Sequence, residues 1–273
     1  MIKHPYLLGT IAGDTIGSIY EFNPIKDYDF MLLDTEMEYT DDSILSIAVA
    51  EWLMDDSELT HQGLIRHLQH WGQKYRDPKG SYGNMFYQWL FDKNPQPYHS
   101  WGNGSAMRVS ATGFAFSTLE ETRKAARISS EITHNHPEGI KGAEATAAAI
   151  FLARTGKTKE EIKEYISSEF GYDLSRSCDD IRPTYRFEAS CQETVPQSII
   201  AFLDSENYED AIRLTISLGG DADTMGAITG AIAFAYYKEM PTAIGKFVLS
   251  KLPDDLKEVV ERFDVFIDAK TIE

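Results

Sequence analysis

Two short stretches of the chain carry oxygen donors in a pattern suited to binding cations. One is Thr40-Asp41-Asp42, inside Tyr39-Thr-Asp-Asp-Ser43; the other is Asp221, Asp223 and Thr224, inside Gly219-Gly-Asp-Ala-Asp-Thr224. Their four aspartates total −4, the charge that two divalent cations neutralise. Oxygen-only ligands select hard cations such as Mg²⁺, Mn²⁺ or Ca²⁺ over zinc. A pair of such ions can orient a substrate, polarise its oxygens and activate water. Each stretch also has a plainer reading as a helix start, with Thr or Asp as the cap and Asp in a first turn that suits the helix dipole. The residues that follow argue for more than capping. Asp41 and Asp42 sit one turn ahead of the apolar stripe Ile44, Leu45, Ala48 and Trp52, so both acids head a buried face. The helix after Asp221 has almost no polar face (Gly226, Ala227, Ile228, Gly230, Ala231, Ile232). Carboxylates entering such an interior are costly unless something compensates them. The second stretch is not an EF-hand loop, because the ligand spacing and closing Glu are missing.

The elements that must position these residues are helices. Helical periodicity runs through the chain and no convincing alternating strands interrupt it. It places helices at about 5–20, 40–56, 60–75, 82–92, 119–133, 137–155, 158–169, 194–204, 207–218, 224–238, 241–251 and 254–268. Irregular stretches fall at 21–38 and 171–192, and Pro196 is expected in a first helical turn, where proline is tolerated. With no repeat and no Gly/Ser/Pro-rich linker, the expectation is a single all-α domain spanning 1–273. Gly9, Gly13 and Gly17 fall on one narrow face of the first helix. Each costs roughly 1 kcal/mol in helix propensity, so close packing against another backbone should be the return. The small residues Gly226, Ala227, Gly230 and Ala231 supply a matching face on the helix at 224–238.

Composition bounds the partners. At 42% hydrophobic and 12% aromatic residues the chain can bury a core and is not disordered. A balance of 26 basic against 43 acidic residues, formally −17, argues against nucleic acid or anionic membrane as a partner held by bulk charge. Only Cys178 and Cys191 occur, without a CxxC, which points to a reducing compartment. Lys3 and His4 make a poor signal-peptide n-region, and the apolar run Met225–Tyr237 falls short of the roughly 20 residues that span a bilayer. A cytoplasmic protein is expected.

Several motifs in order resemble the ADP-ribosylglycohydrolase family, the dinitrogenase-reductase-activating and ADP-ribosyl-acceptor hydrolases. They are Gly13-Asp-Thr-Ile-Gly17, Tyr39-Thr-Asp-Asp-Ser43, Gly102-Asn-Gly-Ser-Ala-Met-Arg-Val109, Ile132-Thr-His134 and Gly219-Gly-Asp-Ala-Asp-Thr224. The resemblance covers nearly the whole chain and implies a compact orthogonal multi-helix bundle with two Mg²⁺ or Mn²⁺ in a cleft. It makes Thr40, Asp41, Asp42, Asp221, Asp223 and Thr224 the metal ligands, adding two threonine hydroxyls to the reading from charge. Ser43 stands where the family usually has Thr, a departure that leaves the ligands intact. The loop Trp101-Gly102-Asn103-Gly104-Ser105 matches the family's ADP-ribose loop, with Trp101 and His99 placed to pack on ribose or adenine. Glycines suit close backbone approach and N–H groups at the following helix suit a pyrophosphate, although an ordinary glycine turn reads the same way. His134 matches a position on the phosphate or ribose side of the ligand, and reads equally as a helix-end His that caps carbonyls. Glu21 follows the first helix, where relatives acting on O-linked ADP-ribose carry a flap glutamate; a solvated loop charge is the alternative.

The activity implied is release of ADP-ribose from an ADP-ribosylated acceptor, arginine or serine on a protein, by water attack at the anomeric carbon. Glu21, Asp41, Asp42 or Asp221 would serve as acid or base. Two readings compete: a metal-dependent hydrolase of a small ADP-ribose derivative or nucleotide, and an ADP-ribose-binding protein without catalysis. The second predicts lost ligands, and none is lost.

Overall fold

The computed structural model describes residues 5–271; Lys3 and His4 lie outside them. Fifteen helices follow one another, and among the described residues no strand forms. Two isolated bridges join Thr40 to Lys79 and Gly102 to Ser190. The first half comprises α1 (Leu8–Gly17), α2 (Asp41–Asp55), α3 (His61–Lys74), α4 (Asn84–Phe91), α5 (Gly104–Met107), α6 (Ser110–Ala115), α7 (Leu119–Glu131) and α8 (Pro137–Arg154). The second comprises α9 (Lys159–Phe170), α10 (Cys178–Ile181), α11 (Cys191–Asp204), α12 (Tyr208–Ile216), α13 (Ala222–Tyr237), α14 (Thr242–Lys251) and α15 (Asp254–Thr271).

Local chemistry sets most boundaries. Thr60, Thr118, Thr158 and Asn207 cap α3, α7, α9 and α12 through side-chain oxygens that accept backbone N–H groups. Gly171 closes α9 in the left-handed conformation, at φ 69°. Three differences from the periodicity stand out. The short helices α6 and α10 carry too few turns to show a period. Helix α11 begins at Cys191 rather than near 194, so Pro196 lies inside it and removes the bond its N–H would make to the Gln192 carbonyl. Helix α1 is shorter than 5–20, because the chain turns at Ser18 to Tyr20, where Tyr20 N–H donates to the Gly17 carbonyl.

Helices α1 and α13 are buried on every face, as expected of helices apolar all round. Their contact is glycine against glycine. A Cβ added to Gly13 would collide with the Gly226 carbonyl, one on Gly9 with that of Gly230, and one on Gly17 with that of Ala222. Helix α8, with Ala143, Ala145, Ala147, Ala148 and Ala149 all buried, packs against α13. Amphipathic helices such as α3, α7 and α12 surround this centre. Cys178 and Cys191 are free buried thiols. No helix among the described residues is long and apolar enough to cross a membrane.

Candidate metal centre and ligand cleft

Because α1 and α13 touch backbone to backbone, Asp14 in the middle of α1 is carried against the start of α2. Its carboxylate accepts four hydrogen bonds: Thr40 N–H at 3.0 Å, Thr40 Oγ1 at 2.6 Å, Ser43 N–H at 3.1 Å, and the Ser43 hydroxyl. Thr40 thus gives its proton to Asp14, while its oxygen accepts the Asp42 N–H at 3.2 Å and caps α2. From the other side, Thr224 Oγ1 on α13 donates to Asp42 Oδ1 at 3.0 Å. The two acidic stretches, 182 residues apart at this bond, therefore meet. Carboxylate oxygens of Asp14, Asp42 and Asp223 lie within 4.8 Å of one another, and so do those of Glu21, Asp221 and Asp223. Asp223 belongs to both groups.

Charge makes this cluster costly as it stands. Burial pushes Asp14 and Asp221 up to about 6, against hydrogen bonds that lower them. Asp41, Asp42 and Asp223 stand well above the usual carboxylate range, through burial first and then through the neighbouring acids. Asp41 retains some solvent exposure, Asp42 is enclosed, and both line the cleft. Burial, then the charge of Asp223 and a hydrogen bond with it that only a protonated carboxyl can make, push Glu21 up to about 8. Among the described residues no Lys or Arg forms an ion pair with any of the six. Six acids, four of them buried, with hydroxyls interleaved and no basic partner among the described residues are a donor set for hard divalent cations. Asp14, with both oxygens already accepting donors, is better suited to orienting Thr40 and Ser43 than to binding a cation itself.

The cluster forms part of the wall of a cleft of about 600 Å³, in the range of small-molecule sites. The remaining wall is built by the glycine loop, α4 and two irregular segments. Gly102 and Gly104 line it, with the loop held against 188–191 by Asn103 N–H to the Ala189 carbonyl at 2.8 Å and Cys191 N–H to the Trp101 carbonyl at 2.9 Å. Asn103 lines it too, and its amide donates to Asp221 Oδ2 at 2.7 Å, coupling the loop to the acids. His134 lies over the loop with Nε2 facing Gly102 and Gly104. Burial, then the charge of Arg108, hold its imidazole well below the usual histidine range, so it is neutral. Exposed Phe22 and Phe187 stack at the mouth, ring centroids 6.4 Å apart.

The sequence matches the ADP-ribosylglycohydrolase family over residues 5–270. The chain belongs to that family. Membership makes it a hydrolase. It is 26% identical to human ADP-ribosylhydrolase ARH3, over 85% of this chain and 84% of that one. It is also 26% identical to the ADP-ribosylarginine hydrolase Tri1 of Pseudomonas putida, over 85% of this chain and 69% of that one. A solved structure described as an ADP-ribosylglycohydrolase-related protein complex superposes with TM-score 0.75 at 23% identity, covering 96% of this chain and 95% of the other. The all-α fold is thus that of the family.

Within this member of the family, Thr40, Asp41, Asp42, Asp221, Asp223 and Thr224 come together, and Glu21 reaches the same cluster from the segment after α1. Three loop positions are placed differently from the expectation. Trp101 and His99 do not line the cleft; both rings pack on His136, at 5.5 and 4.8 Å, on the surface beside it. Ser105 is fully enclosed and donates to the Gly139 carbonyl at 2.8 Å. The helix after the loop is the four-residue α5, with little dipole to offer an anion. Sequence reasoning gave no role to Asp14, Gly80, Arg108, Phe22 or Phe187. Asp14 carried a signal, an acid between two glycines on an otherwise apolar helix. Gly80 carried none, since its approach to Glu21 Oε2 exists only in the folded chain.

Proposed function

We propose that this chain hydrolyses the bond between the anomeric carbon of ADP-ribose and an acceptor on a protein, using two Mg²⁺ or Mn²⁺ held by Thr40, Asp41, Asp42, Asp221, Asp223 and Thr224. The reading rests chiefly on one observation: six acids, four of them buried and none with a basic partner among the described residues, converge at a cleft that also presents a glycine loop and a neutral histidine. Bound cations would supply positive charge for the ribose hydroxyls and lower the pKa of water.

The chain's own groups divide the remaining work. Asp14 holds the Thr40 and Ser43 hydroxyls in one orientation through its four accepted bonds. Asn103 keeps Asp221 in register with the loop. Glu21, beside Asp223 and open to the cleft, holds or releases a proton at the anomeric centre, as acid to the leaving acceptor or base to water. The loop glycines and His134 receive the diphosphate. Phe22 and Phe187 border the entrance through which the acceptor reaches the acids.

Turnover of ADP-ribosyl-arginine and ADP-ribosyl-serine peptides, with Mg²⁺ or Mn²⁺ and with excess chelator, tests the proposal. Asp41→Ala and Asp223→Ala are expected to lose both metal binding and hydrolysis. Full turnover by either variant, or by the wild type in chelator, would sink it. The ratio of the two peptide rates identifies the acceptor.

A further inference from the structure

We propose that Arg108 is a positioning residue for the diphosphate of the ligand, acting through Thr133 to hold His134 with its proton on Nε2. The ligand named here rests on the ADP-ribose reading above; the relay itself stands on the hydrogen bonds.

Arg108 follows α5 and is 1% exposed. Its Nη2 donates to the Ser129 carbonyl and to Thr133 Oγ1, both at 2.7 Å. The Thr133 hydroxyl in turn lies 2.7 Å from His134 Nδ1. Having accepted the guanidinium proton, Thr133 has its own proton to place, and Nδ1 is its neighbouring acceptor. A proton on Nδ1 would set two donors, the ring and the guanidinium, against one oxygen, and turn the hydroxyl proton from this 2.7 Å contact to its other neighbour, the Tyr98 phenol. The arrangement therefore assigns Nδ1 as acceptor and places the ring proton on Nε2. Nε2 has no hydrogen-bond partner among the described residues. A Cβ on Gly104 would lie 3.2 Å from it and one on Gly102 3.6 Å, so it occupies the space beside the two cleft-lining glycines. What His134 offers the cleft is an N–H donor.

The source of this orientation is itself unusual. Arg108 remains charged at neutral pH, although burial pushes it down to about 10. Among the described residues no carboxylate pairs with it and its buried Nε has no partner, and the Phe86 ring lies 5.8 Å from its guanidinium carbon. Arg108 also lines the cleft. An unpaired buried cation is expensive, and a multiply charged anion next to the His134 N–H would compensate it. The acidic cluster excludes such an anion from its own part of the cleft until cations are bound there. Charge thus polarises the cleft, and a nucleoside diphosphate with a ribose at its far end fits that polarity.

The test uses full-length protein labelled with ¹⁵N at histidine, without ligand. Ring ¹⁵N resonances report the tautomer, and those of His134 are assigned by their disappearance in His134→Gln. The expected result is a neutral ring with Nε2–H and unprotonated Nδ1, unchanged from about pH 5 to about pH 8. An Nδ1–H or cationic ring in the wild type overturns the relay. Thr133→Val keeps the volume and removes the hydroxyl. It is expected to mix the tautomers and to weaken ADP-ribose binding by roughly tenfold, with adenosine binding unchanged. Wild-type affinity and an intact Nε2–H tautomer in Thr133→Val would also overturn it. Arg108→Lys, which keeps the charge but not the two-acceptor geometry, is expected to weaken ADP-ribose in the same selective way. If the wild type has the stated tautomer yet binds no ADP-ribose, the diphosphate assignment and the reading of the site fall together, while the tautomer assignment stands.

Discussion

Gly13→Ala tests the contact on which the acidic cluster is built. The added Cβ would lie 1.8 Å from the Gly226 carbonyl oxygen and 3.0 Å from Ala227 N, whereas ordinary contact begins near 3.4 Å. Both neighbours are backbone, so no side chain can rotate away, and the helices must part by about 1.6 Å along the steepest direction. Alanine's better helix propensity returns roughly 1 kcal/mol. Overpacking a close-fitting contact costs typically 1–3 kcal/mol and sometimes more. Here the opening also spreads to Gly9 against Gly230 and Gly17 against Ala222, so the upper end applies. A net loss of about 2 kcal/mol is expected, or about 4–8 °C in Tm for a chain of this size. Because Asp14 follows Gly13 and Asp223 opens α13, the variant should also bind Mn²⁺ more weakly. Thermal unfolding and Mn²⁺ titration read the two effects. Gly83→Ala is the control, at φ −55° with nothing within 4 Å of its Cβ, and its stability should change by no more than about 1 kcal/mol. Equal Tm and equal Mn²⁺ affinity in Gly13→Ala and wild type would show that the glycine contact does not position the acids.

Further outcomes follow from the same geometry. Asp14→Asn turns an acceptor of four bonds into a group that must present N–H to some of those donors; it should lose about 2–3 kcal/mol in urea unfolding and bind Mn²⁺ more weakly, and unchanged values would remove Asp14 from its orienting role. Gly80→Ala forces a side chain onto φ +81° and places Cβ 2.7 Å from Glu21 Oε2; displacing that carboxyl should lower kcat by about 100-fold, and wild-type kcat would argue against Glu21 as the proton-transfer group. The metal-free protein should lose stability as pH rises. Asp14 and Asp221 sit at about 6 in the folded state against 3.8 for an aspartate free in water, so the folded state binds more protons between those values and stability falls across that window. Each buried acid contributes at most roughly 3 kcal/mol, the coupling between them reducing the sum, and saturating Mg²⁺ should abolish the fall. A metal-free protein equally stable at both ends of that range would contradict the picture of acids buried without compensation.

The all-α architecture and both acidic stretches were legible in the chain because each depends on local pattern. The helical period, the threonine caps and the charged heads of apolar helices are all written within a few residues of one another. The glycine faces of α1 and α13 were legible for the same reason, since small residues at that spacing make sense only beside another backbone. Tertiary structure alone decided which acids lie together. Asp14 joins the cluster because the glycine contact brings α1 against α13, and Glu21 joins it because the chain turns at Ser18–Tyr20 immediately after that contact. It also decided the fate of the glycine loop, where Trp101 and His99 pack on His136 beside the cleft while Arg108, just after a short helix, is buried with no carboxylate paired to it among the described residues. A residue type states what a side chain can bind. Which of its neighbours are already bound to something else is set by long-range packing, and that is where the chemistry of this cleft was settled.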